Sequence, residues 1–77
     1  ESYIIFEVKE NAKWLLDTYR VETVSKEESL YKFEISNPFV AARILLSTDE
    51  YVKYIEGTIS KEEILGAINT IHSRVNT

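Results

Sequence analysis

Hydrophobic and polar residues alternate with period two over residues 2–9 (SYIIFEVK), with Ile4, Phe6 and Val8 on one side and Tyr3, Ile5 and Glu7 on the other. That period, carried by β-branched and aromatic side chains, predicts a strand. The period then changes. Over residues 11–19 (NAKWLLDTY), Ala12, Leu15, Leu16 and Tyr19 recur at i, i+3, i+4 and i+7, which is one face of a helix. Asn11 stands where a side-chain oxygen can accept a free amide of the first turn. Residues 20–25 (RVETVS) read as a second strand and KEES as a polar turn. Residues 29–36 (SLYKFEIS) alternate again, with Tyr31, Phe33 and Ile35 together.

Asn37-Pro38 predicts a helix start, since asparagine suits the cap and proline the first helical position, where no amide hydrogen is needed. The apolar run FVAARILLS carries that helix to about residue 47. Thr48-Asp49 reads as a turn, Glu50–Glu56 as a fourth strand, and Gly57 as its break. Ser60 and Glu63 have the spacing of a capping box. The helix they open sets Ile64, Leu65, Ile68, Ile71 and Val75 on one face and runs to about residue 74.

The order β-α-β-β-α-β plus a closing helix predicts an α+β fold, a ferredoxin-like βαββαβ sandwich. Its four-stranded antiparallel sheet would carry two helices on one face, with an extra helix at the C-terminus. Strands 1 and 3 would be central. Ile4, Phe6, Tyr31, Phe33 and Ile35 would pack under the helices, leaving Tyr3, Ile5, Glu7, Leu30, Lys32 and Glu34 on the opposite face.

Composition narrows the chemistry. Seventy-seven residues make one domain, 1–77, with little room for a deep pocket. With no cysteine, thiolate catalysis, disulfides and thiolate metal sites are excluded, which fits a reducing, cytoplasmic setting. No apolar run approaches the roughly 20 residues that cross a bilayer, so no membrane contact is expected. The net charge of -4 opposes sequence-independent DNA binding. The chain has no methionine and opens Glu1-Ser2, which predicts a fragment of a longer protein.

No residue set suggests an enzyme, and no cofactor or metal site is expected. His72 is alone, Glu27-Glu28 belongs to a turn, and Glu62-Glu63 sits at a helix N-terminus, where the dipole favours acids. With only Gly57 and Gly66, no phosphate-cradling loop exists.

Several short motifs carry a family likeness: Ala12-Lys13-Trp14-Leu15 in the first helix, the alternating hairpin RVETVS and LYKFEIS, and Leu45-Leu46-Ser47 closing the second helix. In this pattern the run from Asn11 to Gly57 resembles the C-terminal extension, often called WCX, of WYL-domain transcription regulators. The chain departs from that family at two turns. Thr48-Asp49 stands where a glycine often follows Leu-Leu-Ser, and Gly57 where a proline often follows the acid ending strand 4. The resemblance implies a parent protein with an N-terminal winged helix that binds DNA and a neighbouring WYL domain that senses a ligand. The module itself would contribute to homodimer geometry and to the response to an effector, with single-stranded nucleic acid implicated in some members.

Trp14 lies about 200° from Ala12 on the helix wheel, since each residue turns about 100°. It is either an outward interface anchor or is covered by the last helix or the loop after strand 2. Tyr3, Ile5 and Leu30 on the open face are the other interface candidates. Arg20, Lys32, Arg43 and Lys53 are the candidates for an anionic effector. The strand-borne aromatics do not form an RNP1 pattern for RNA, because Tyr31 and Phe33 fall on the core side and LYKFEIS has no glycine. The alternative is a small-molecule-sensing domain of the ACT kind on the same topology, which would favour a glycine in the turn after strand 1, where Lys9-Glu10-Asn11 stands.

Overall fold

A computed structural model of the chain describes residues 1–75. Strand β1 (Ile4–Val8) leads through a 3-10 turn (Glu10–Ala12) into the short helix α1 (Leu15–Thr18). Strands β2 (Val21–Ser25) and β3 (Leu30–Phe33) follow as a hairpin, then helix α2 (Pro38–Ser47), strand β4 (Val52–Gly57) and helix α3 (Lys61–Val75). Among the described residues the fold is α+β, with one four-stranded antiparallel sheet in the order β2-β3-β1-β4 and three α-helices. Among the described residues no helix is long and apolar enough to cross a membrane.

Strand alternation decides what is buried. Ile4, Phe6 and Val8 of β1 are buried with Tyr31, Phe33 and Ile35, and they form one core with Ala12, Leu15, Ala41, Ala42, Ile44, Ile64 and Ala67 from the helical segments. The rings of Phe6 and Phe33 meet edge to face at 5.2 Å. The buried Tyr31 hydroxyl accepts a hydrogen bond from Lys13 Nζ at 3.1 Å, so its polar end is satisfied.

Two helix starts follow the sequence reading. Asn37 Oδ1 accepts the Phe39 amide at 2.8 Å, with Pro38 at the first helical position. In the capping box, Ser60 Oγ accepts the Glu63 amide at 3.1 Å and a Glu63 carboxylate oxygen accepts the Ser60 amide at 3.0 Å.

Three expectations need correction. Residues 11–19 are not one helix, and Asn11 caps nothing: it lies inside the 3-10 turn. The amides of Ala12, Lys13, Leu16 and Asp17 each bond three residues back. Asn11, Asp17 and Thr18 are weak helix formers, and the tighter coil rises about 2.0 Å per residue against about 1.5 Å for an α-helix. The short segment thereby reaches further across the sheet while Ala12 and Leu15 stay buried. Gly57 does not break β4 but closes it, paired with Ile4. A Cβ there would lie 2.4 Å from the Tyr3 carbonyl oxygen, so the strands approach too closely for a side chain. On α3, Leu65 and Val75 are exposed and Ala67 is buried in their stead. Of the two readings of Trp14, the covered one does not hold: the side chain is 52% exposed, as an outward interface candidate would be.

Both edge strands carry a bulge. Thr23 pairs with Tyr31 and Ser25 with Leu30, so Val24 is the extra residue on β2. Ile5 pairs with Glu56 and Phe6 with Tyr54, so Ile55 is the extra residue on β4. Bulges twist an edge away from regular pairing with another strand.

Candidate functional site

With the helical segments on one side, the other side of the sheet is open, and its side chains can be read from the strand register. One row runs Glu22, Lys32, Ile5, Glu56 across β2, β3, β1 and β4. The next runs Ser25, Leu30, Glu7, Lys53. Tyr3 extends the β1 column beyond Ile5, and Lys32 Nζ lies 4.7 Å from its ring centroid. Ile5 and Leu30 are diagonal neighbours on adjacent strands, within reach of each other's side chains. Tyr3, Ile5 and Leu30, expected to share a face, do share it, along the two central columns, where they are interleaved with Glu7 and Lys32. All three are half-buried.

The bulge at Ile55 determines what surrounds them. Lys53 and Glu56 are three residues apart, and in a regular strand an odd spacing would put them on opposite faces. The extra residue restores both to the open face, Lys53 opposite Glu7 and Glu56 opposite Ile5. Neither Lys53 nor Glu56 takes part in an ion pair among the described residues. The sequence reading missed this juxtaposition. Period-two patterning does not register a bulge.

The four cationic candidates do not converge. Arg20 and Lys32 border a shallow depression of about 540 Å³ with Glu1, Tyr3, Glu22 and Glu34. There Arg20 Nε lies 3.4 Å from Glu34 and Lys32 Nζ lies 4.0 Å from Glu22. Three carboxylates around two cations make no anion site. Lys53 stands on the far edge strand of the same face. Arg43 is on α2, on the helical side. Trp14 also belongs to the helical side, since Ala12 and Leu15 beside it enter the core, so it is not part of the open-face patch.

Among the described residues, no three His, Cys, Asp or Glu side chains form a group that could hold a metal ion. Burial, with the carboxylates of Glu62, Glu56 and Glu63 adding to it, raises the Tyr54 phenol above its usual pKa of 10.0. Its hydroxyl donates to the Ile59 carbonyl at 2.8 Å, which ties β4 to the turn before α3. That is a structural role.

Set against protein-family models, curated proteins and solved structures, the chain matches none of them. What fold and surface define is a small α+β domain with one uncovered sheet face.

Proposed function

We propose that this chain is a non-catalytic assembly module that pairs with a second copy of itself through the open sheet face. The observation that carries the reading is that Tyr3, Ile5 and Leu30 share the central columns of that face, interleaved with Glu7 and Lys32 and flanked by further charges of both signs. In an isologous contact the same patch serves both copies, so each contact occurs twice. Lys53 and Glu56, opposite in sign and without an ion pair in their own chain, suit that symmetry: Lys53 of one copy meets Glu56 of the other, in both directions.

The strand order β2-β3-β1-β4 with antiparallel neighbours supports the ferredoxin-like description. The WCX-type reading, an accessory module of a cytoplasmic WYL-type regulator, draws support from one turn in particular. Asp49, just past α2, has φ 52°, the left-handed conformation that glycine adopts most easily. The family often carries a glycine near this place, so the backbone keeps a glycine-like shape where the side chain departs. In that reading DNA is bound by the parent's N-terminal domain and not by this module, and the neighbouring WYL domain senses the ligand. The sheet face itself offers no anion site, so we assign effector binding to the neighbour.

The test is a reciprocal charge swap. Lys53→Glu and Glu56→Lys each weaken the dimer, and the double variant recovers it, as read by sedimentation across a concentration series. Two single effects that simply add in the double variant would refute the pairing.

A further inference from the structure

A second surface lies on the other side of the molecule and does not depend on the dimer reading. Helices α2 and α3 pack against each other, and near the C-terminal end of α3 they leave a groove of about 410 Å³ lined by Phe39, Arg43, Leu46, Ser47, Ile71 and Arg74. Phe39, Arg43 and Leu46 recur at i, i+4 and i+7, one stripe of α2, and Ile71 and Arg74 at i and i+3 on α3. The result is an apolar floor of Phe39, Leu46 and Ile71 with an arginine from each helix beside it. Leu46 is 53% exposed, which leaves a large aliphatic side chain uncovered by the described residues.

The two arginines are the unusual part. The chain holds 13 acids against 9 bases, yet this groove has two cations and no carboxylate among its lining residues. Neither arginine forms an ion pair among the described residues. Arg74 in the last turn of α3 complements the helix dipole, and that suffices to explain it alone. It does not explain Arg43, the one charge on a ten-residue helix that is otherwise apolar apart from its terminal Ser47. Guanidinium groups beside an aliphatic floor recognise carboxylates carried next to an apolar anchor.

We propose that the α2–α3 groove docks an acidic amphipathic helical segment of a partner protein, with a leucine-type side chain on Leu46 and Ile71 and its carboxylates on Arg43 and Arg74. A helix laid in a groove between two helices presents anchors at i, i+3, i+4 and i+7, which matches the two stripes. A nucleic acid fits less well. Two cations neutralise few phosphates, the molecule as a whole is anionic, and the floor is largely aliphatic where a base needs a stacking ring.

The probe is a labelled helical peptide of about 15 residues with leucines at i, i+3, i+4 and i+7 flanked by glutamates. It is titrated into the isotopically labelled 77-residue chain. Amide shifts are expected over residues 39–47 and 71–74, with the open sheet face unmoved. The same peptide with lysines for glutamates should not bind. The Arg43→Glu, Arg74→Glu double variant should weaken the acidic peptide about tenfold or more, a change of about 1.4 kcal/mol at the least. Both arginines are exposed, so these changes leave the core intact, and Arg43→Gln with Arg74→Gln should give a smaller loss in the same direction. Three results would overturn the proposal. One is shifts that map elsewhere, or none. Another is tighter binding of single-stranded oligothymidylate than of the acidic peptide in the same groove. The third is loss of self-association in the double variant, which would make a second copy of this chain the occupant.

Discussion

Single residues in this chain hold positions that their types make testable. Gly57 lies against the Tyr3 carbonyl, where a methyl group has no room. Gly57→Ala should force β1 and β4 apart and destabilise the chain by about 1–3 kcal/mol, measured by urea unfolding. Asp49 carries the opposite tension, a side chain in a left-handed turn at φ 52°. Asp49→Gly should stabilise by about 1 kcal/mol, visible as a higher urea midpoint at unchanged slope. Tyr54 links stability to pH. Its pKa is raised on folding, so the folded chain holds the proton more firmly than the unfolded chain does. Its contribution is complete below the unfolded value of about 10 and is lost as the pH rises through the higher folded value. Tyr54→Phe should flatten that alkaline decline. It should also cost about 1 kcal/mol at neutral pH by leaving the Ile59 carbonyl without its donor.

At the scale of elements, legibility followed the period of the pattern and the chemistry of the ends. β1 and β3 have alternation over a face that is buried, and a register error there would turn their core residues to solvent. α2 and α3 begin with caps whose hydrogen bonds form as read. Ser60→Ala should therefore destabilise α3 by about 1 kcal/mol, read as reduced amide-exchange protection over its first turn. The segment from Glu10 to Thr18 was legible only in part. Its periodicity correctly identified Ala12 and Leu15 as core, but a buried face does not specify whether the chain winds by three or four residues. The bulges were not legible at all. They arise from how β4 and β2 fit their neighbours, and each leaves an aliphatic side chain, Ile55 or Val24, in solvent with no sequence signal to mark it. The same blindness hid the pairing of Lys53 and Glu56 on one face, although Tyr3, Ile5 and Leu30 were assigned to the open face from alternation alone.

For the whole molecule, the open face and the protected edges point the same way. The bulged edges discourage strand addition, whereas the open face presents Tyr3, Ile5 and Leu30 half-buried among charges. In the proposed dimer, association is therefore through the face. Of the two surfaces, the face carries charges of both signs, which suits the proposed pairing with a copy of itself, and the α2–α3 groove carries cations alone, which suits the proposed acidic partner.

The most direct measurement is the solution mass of the chain by sedimentation from micromolar to millimolar concentration, alone and as Ile5→Lys. A reversible dimer that Ile5→Lys returns to monomer, while the solvent-side Trp14→Ala leaves it intact, is the predicted result. A monomer at every concentration, or a dimer that Ile5→Lys does not disturb, would contradict self-assembly through the sheet face.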